Sequence, residues 1–120
     1  MEVGRYLKGV EKDLKGAARE YFKLFSEKNS DRIRDMLDLR SSLIDWEIDV
    51  QGRDNIIEAV KAVFGSVDQI FVDPLHLYRE GNIVIGDLLI TINGKDKIKV
   101  IDVLEFSPQG KIKSINAYKQ

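Results

Sequence analysis

Asn93-Gly94 stands between two runs in which apolar residues alternate, and no short-range signal for a β-hairpin is stronger. The pair accepts positive φ at both central positions of a type I′ turn, whose twist matches that of the flanking strands. Two further breaks, Glu80-Gly81-Asn82 and Ser107-Pro108-Gln109-Gly110, punctuate the same region. The stretch after Gly65 therefore divides into strands over about 68–79, 83–92, 97–106 and 111–118, an antiparallel meander.

Ahead of the meander the period changes. Val3, Leu7, Val10, Leu14, Ala18, Tyr21 and Phe25 recur at steps of three and four, which stacks them on one face of a helix running through the first 28 residues. Gly16 weakens its middle by about 1 kcal/mol relative to Ala and marks a place for a bend. Asn29 and Ser30 cap a short second helix, Asp31 to Asp38, with Ile33, Met36 and Leu37 inward. A third helix, Arg53 to Phe64, follows Gly52 and carries Ile56, Val60, Val63 and Phe64 as its stripe. Between the second and third, SLIDWEIDV reads as a strand. Helices first and a meander last is the α+β pattern, within a single domain over residues 1–120. A curved antiparallel sheet wrapped around the long helix leaves a cone-shaped interior, and its open end is a natural pocket.

Composition narrows the chemistry. Nineteen Lys and Arg against 20 Asp and Glu leave a net charge of −1, which argues against a surface built to neutralise phosphates, so no nucleic-acid partner is expected. Cysteine is absent, which removes disulfides, thiolate catalysis and Cys-ligated zinc. A single histidine, His76, excludes a multi-histidine metal site and disfavours a Ser-His-Asp triad; its segment FVDPLHLY shows no clear face, and a surface position is expected. MEVGRYLKGVEKDLKG alternates charge with apolar residues, unlike a signal peptide or a spanning helix. A cytoplasmic protein with no membrane partner is the expectation. No glycine-rich phosphate loop is present, and no metal, nucleotide or flavin cofactor is expected.

One carboxylate does not fit its surroundings. Strand KIKVIDVLEF places Ile98, Val100, Asp102, Leu104 and Phe106 on one face, with Asp102 in the middle of an apolar stripe. Burial there requires a partner, a hydrogen bond or a proton, and desolvation should raise its pKa well above that of a free aspartate. A turn anchor, a buried pair and a stripe facing another subunit are the structural readings. Asp87, between Ile85 and Leu89, is placed on the outer face, because Val84, Leu88, Ile90 and Ile92 form the more continuous core set. Tyr21 is either a core aromatic bonded to a backbone carbonyl or a phenol pointed into the pocket. Asp45 alternates with Ile44, Trp46, Ile48 and Val50; it is solvated if those residues are core and inward if Trp46 and Ile48 cover the outer face.

Three stretches, REYFKLF, LIDWEI, and VIDVLEF followed by PQGKIKSINAY, together resemble the nuclear transport factor 2-like (SnoaL-like) superfamily and, within it, the ketosteroid isomerases. The resemblance runs from about Ala17 to Tyr118 and implies a cystatin-like cone, with residues 1–14 as an added helical extension. It implies roles as well. Tyr21 falls at the isomerases' oxyanion-hole tyrosine, Asp45 at their general base, and Asp102 at the aspartic acid they hold protonated as second oxyanion donor. Trp46 stands where they often have proline, and Val60 where some have a supporting tyrosine.

The function so implied is an isomerase acting on a small apolar carbonyl compound, in which Asp45 moves a proton and Tyr21 and Asp102 hold the enolate oxygen. The alternative, from a different class, is a non-catalytic small-ligand-binding or dimerisation module. A homodimer is expected in either case: both faces of strand 83–92 are apolar and one helix layer covers only one, leaving Trp46, Ile101 and Val103 as candidate contacts.

Overall fold

The computed structural model describes residues 12–120. Helix α1 spans Leu14–Ser26, α2 Ser30–Met36 and α3 Arg53–Gly65; the strands are β1 Leu37–Ile44, β2 Asp49–Gln51, β3 Ile70–Glu80, β4 Ile83–Ile92, β5 Asp96–Phe106 and β6 Ile112–Lys119. The expected turns are present. Asn93 and Gly94 both take positive φ, 54° and 67°, as a type I′ hairpin requires.

The Asp13 carboxylate opens α1 by accepting the Gly16 N–H at 2.8 Å. Gly16 thus lies in the first turn of the described helix, where it makes no break. Val3, Leu7 and Val10 of the expected stripe, and most of the expected extension, lie outside the described residues. Leu14, Ala18, Tyr21, Phe22 and Leu24 are buried against the sheet, and Phe25 packs beside them. The helix ends with Lys28 in a left-handed conformation and the Asn29 N–H bonded to the Leu24 carbonyl at 2.9 Å, which satisfies an end carbonyl. Lys28 Nζ then donates to the carbonyls of Phe64 at 2.9 Å and Val67 at 2.6 Å, so one ammonium closes α3 at its negative end. Ser26 Oγ accepts the Val72 N–H at 2.8 Å and ties α1 to β3.

Three sequence expectations need correction. SLIDWEIDV is not one strand: pairing stops at Ile44, the chain turns through Asp45 to Ile48, and β2 folds back antiparallel on β1. The sheet is also mixed rather than wholly antiparallel. Its order is β2-β1-β6-β5-β4-β3, and β1 pairs parallel to β6. Short turns impose antiparallel pairing only on strands adjacent in sequence, whereas β1 and β6 are separated by the third helix and the other strands. Leu37, expected at the end of α2, instead begins β1 and is buried.

Bulges at Leu37/Ser42, Pro74/His76 and Glu105/Phe106 curve the sheet around α1. Pro74 is tolerated because β3 is an edge strand, and its bulge shifts the alternation, so FVDPLHLY has no single face. Val84, Leu88, Val100, Leu104, Phe106, Ile112 and Ile115 make the sheet side of the core. Among the described residues, no helix is long and apolar enough to cross a membrane.

Gly86 sits where α1 presses closest on the sheet. A Cβ there would lie 3.0 Å from the Phe22 ring and 3.1 Å from Leu88, both fully buried. Gly86→Ala should therefore destabilise the protein by about 1–3 kcal/mol in urea titrations, and by clearly less in a Phe22→Leu background. Equal costs in both backgrounds would mean that the ring is not what resists.

Candidate active site

The end of the cone is not filled. A cavity of about 100 Å³ remains, walled by Phe22 and Phe25 from α1, Val60 from α3 and Leu88 from β4, and Tyr21, Asp45 and Asp102 all line it. Three residues far apart in sequence thus share one space.

Tyr21 is 4% exposed, and its ring is held edge-on by Phe22 and Phe25, with centroids 5.4 and 5.9 Å away. Its hydroxyl has no hydrogen-bond partner among the described residues, so the backbone anchor of an ordinary core tyrosine is missing. Burial, then the nearby carboxylates of Asp102 and Asp45, push its pKa up, which keeps the phenol a donor.

Asp102 is 8% exposed and points inward from β5, as the strand pattern indicates. Its cross-strand neighbours are Gly86, over which the Phe22 ring packs, and Ala117, which lines the cavity with it. It has neither a salt bridge nor a hydrogen bond to another described residue, so it is neither a turn anchor nor half of a buried pair. Desolvation, followed by the charge of Asp45, pushes its pKa up to about 7. A carboxylic acid that stays neutral in this way can donate a hydrogen bond.

Asp45 owes its place to the turn between β1 and β2. Its Oδ1 accepts the N–H groups of Glu47 at 2.7 Å and Ile48 at 2.6 Å, while its own N–H donates to the Ile48 carbonyl at 2.8 Å. Oδ2 has no partner among the described residues and is free to take a proton. The carboxylate lines the cavity and also an open groove outside it, so it stands at the mouth. Ile44 and Trp46 are each 43% exposed, and Lys119 Nζ lies 5.8 Å from the Trp46 ring. Ile48 lines the cavity together with Asp45 while Ile44 and Trp46 are exposed, so neither face read from alternation holds as a whole; the turn is what brings Asp45 inward.

Asp87 and His76 lie on the other side of the sheet. Lys99 Nζ donates to Asp87 at 2.9 Å and His76 Nδ1 is 3.4 Å away; the lysine bond is the main cause holding the Asp87 pKa below the usual carboxylate range. Among the described residues, no group of three His, Asp or Glu side chains is placed to hold a metal ion. Phe22 also lines the cavity without having been singled out from sequence, although the step of four from Ala18 marks it as inward. Val63, expected on the inward stripe of α3, lines it too, as does Ile48.

This combination of a curved sheet closed around a helix with an unfilled end is found in known structures. Nuclear transport factor 2 from Cryptosporidium parvum superposes with a TM-score of 0.81 at 16% identity, over 92% of this chain and 94% of that one. The chain has the nuclear transport factor 2-like fold. A SnoaL-like family protein from Agrobacterium tumefaciens shares it at a TM-score of 0.76 and 14% identity, over 86% and 93% of the two chains. So does SalBIII, an epoxide hydrolase/cyclase-like enzyme with a role in pyran ring formation in the polyether salinomycin, at 0.80 and 25% identity over 93% and 94%. No protein-family model and no curated protein sequence matches the chain. In the nuclear transport factor 2-like fold seen here, the cavity is the part of the cone that the helices leave open.

Because Asp102 keeps its proton to about pH 7 when folded but loses it near pH 4 when unfolded, the native state binds more protons between these values. Stability should therefore fall as pH rises through this window, by up to about 4 kcal/mol from this one group. Urea titrations from pH 4 to 8 should show that slope in the wild type and lose most of it in Asp102→Asn. A wild-type profile with no such fall would mean that Asp102 ionises freely.

Proposed function

We propose that this protein is an acid–base enzyme that shifts a double bond in a small apolar carbonyl compound. The observation that carries the reading is a pair of buried oxygen-bearing donors with no partner among the described residues, Tyr21 and Asp102, which face one cavity with the Asp45 carboxylate at its mouth. Buried polar groups left unpaired are costly, so a site of this kind favours an occupant that brings an acceptor oxygen.

In this reading the substrate carbonyl oxygen accepts from the Tyr21 hydroxyl and the Asp102 carboxyl. Asp45 Oδ2 takes the α proton, the C–H pair becomes the enolate double bond, and the carbonyl π pair moves to oxygen. The oxygen pair then re-forms the carbonyl, the enolate π pair becomes the α,β double bond, and the β,γ π pair takes the proton back from Asp45 at the γ carbon, so atoms and electrons balance without another reagent. A positioned base of this kind contributes about 10²–10⁴-fold. Donors already aimed at the developing charge need no reorganisation. A cavity of about 100 Å³ suits a reacting part the size of a single ring.

A second reading, ring closure through an opened epoxide, draws support from the 25% identity with SalBIII over nearly the whole chain. It uses the same groups, with Asp45 as base on a hydroxyl nucleophile and Asp102 as acid at the epoxide oxygen. A β,γ-cyclohexenone tests the first reading by the absorbance of its conjugated product. Asp45→Asn should abolish turnover, and Tyr21→Phe and Asp102→Ala should each lower kcat by about 10²–10³-fold, less than multiplicatively together. Wild type that binds simple phenols but converts neither enone nor hydroxy-epoxide would be the ligand-binding module instead.

We also propose a homodimer through the outer sheet face. Tyr78, Ile85, Val103 and Ile44 lie along one cross-strand row, with Trp46 and Tyr118 exposed nearby and Ile101 in the adjoining row. Sedimentation equilibrium should give a dimer mass in the micromolar range, and Ile85→Lys with Val103→Glu should give monomers. A wild-type monomer at high micromolar concentration would end this proposal.

A further inference from the structure

We propose that the mouth of this site selects substrates whose apolar reacting part, buried in the cavity, carries a positive charge at the end remote from the reacting oxygen, a specificity that rests on the acid–base reading above and narrows its substrate class. The inner cavity and an open groove of about 650 Å³ share Asp45, Ile48 and Val63. A ligand whose oxygen reaches Tyr21 and Asp102 therefore leaves its far end in that groove. On the β1–β2 side the groove is lined by Asp45, Glu47 and Asp49, and on the α3 side by Ala59, Ala62 and Ser66, which carry no charge. Neither the Glu47 nor the Asp49 carboxylate has a cationic partner among the described residues, and Lys119, stacked over Trp46, does not line the groove.

An acidic rim alone is only a solvated surface. What makes this one the rim of a ligand site is the chamber behind it, where two side chains more than nine-tenths buried, Tyr21 and Asp102, face an unfilled space with no polar partner. The occupant that satisfies them projects its other end past three carboxyl groups. A cleft lined by one sign of charge between low-dielectric walls focuses its field, concentrates the opposite charge and repels its own. An amine-bearing carbonyl compound fits this mouth, and a carboxylate- or phosphate-bearing one does not.

Three phenols with one head and different tails test this by calorimetry: tyramine, para-ethylphenol and para-hydroxyphenylacetate. At low ionic strength tyramine should bind about tenfold more tightly than para-ethylphenol, and para-hydroxyphenylacetate about tenfold more weakly. Both gaps should narrow as salt shortens the screening length from about 30 Å at 0.01 M to about 8 Å at 0.15 M. Glu47→Gln with Asp49→Asn should shrink both gaps several-fold, and Glu47→Lys with Asp49→Lys should reverse the order. Should the reversed-charge variant not fold, the neutral variant and the wild-type salt series decide. Equal affinity of wild type for tyramine and para-ethylphenol overturns the charged mouth while leaving the oxygen site standing. Binding of none of the three overturns both.

Discussion

An unpaired carboxyl group inside an apolar shell is the constraint around which this structure is arranged. Asp102 sits between Val100 and Leu104, two of the most buried residues of the sheet, and no cation or backbone donor among the described residues meets it. Desolvation on this scale is tolerated by keeping the proton, and the proton turns a buried liability into a hydrogen-bond donor. The cavity that Asp102 shares with Ala117 is the space in which an occupant can accept that donor.

Holding such a space open requires a rigid frame, and the frame is made of a few specific contacts. Ser26 fastens α1 to β3, and Lys28 spans from the end of α1 to the closing carbonyls of α3. Phe22 and Phe25 hold the Tyr21 ring at its edges, and Phe22 is itself pressed on a glycine of β4. The Asp45 turn then sets a carboxylate at the mouth, with one oxygen committed to backbone N–H groups and the other free. The nearby Asp45 carboxylate adds to burial in raising the pKa of Asp102.

Much of this was legible in the residues. Turn chemistry at Asn93-Gly94 and Ser107–Gly110, the Asn29 cap and the helical stripes are local signals, decided by steric and hydrogen-bonding preferences within a few residues. Asp102 stood out because period-two alternation places it among apolar neighbours whatever the strand packs against. Asp45 did not, because SLIDWEIDV alternates cleanly enough to pass for one strand. The side chain that breaks it does so by capturing two backbone N–H groups, a competition with sheet pairing that pattern alone does not reveal.

By itself, then, the sequence determined the order of elements, the α+β class, the inward stripe with its misfit carboxylate, and the absence of thiol chemistry. Tertiary structure alone decided the parallel pairing of β1 with β6, the convergence of Tyr21, Asp45 and Asp102 on one cavity, and the lack of a partner among the described residues for the two buried donors. The physical reason is range. Turns, caps and periodicity follow from contacts a few residues apart, whereas a cavity is what remains when distant segments pack incompletely, and no local pattern encodes the space they fail to fill.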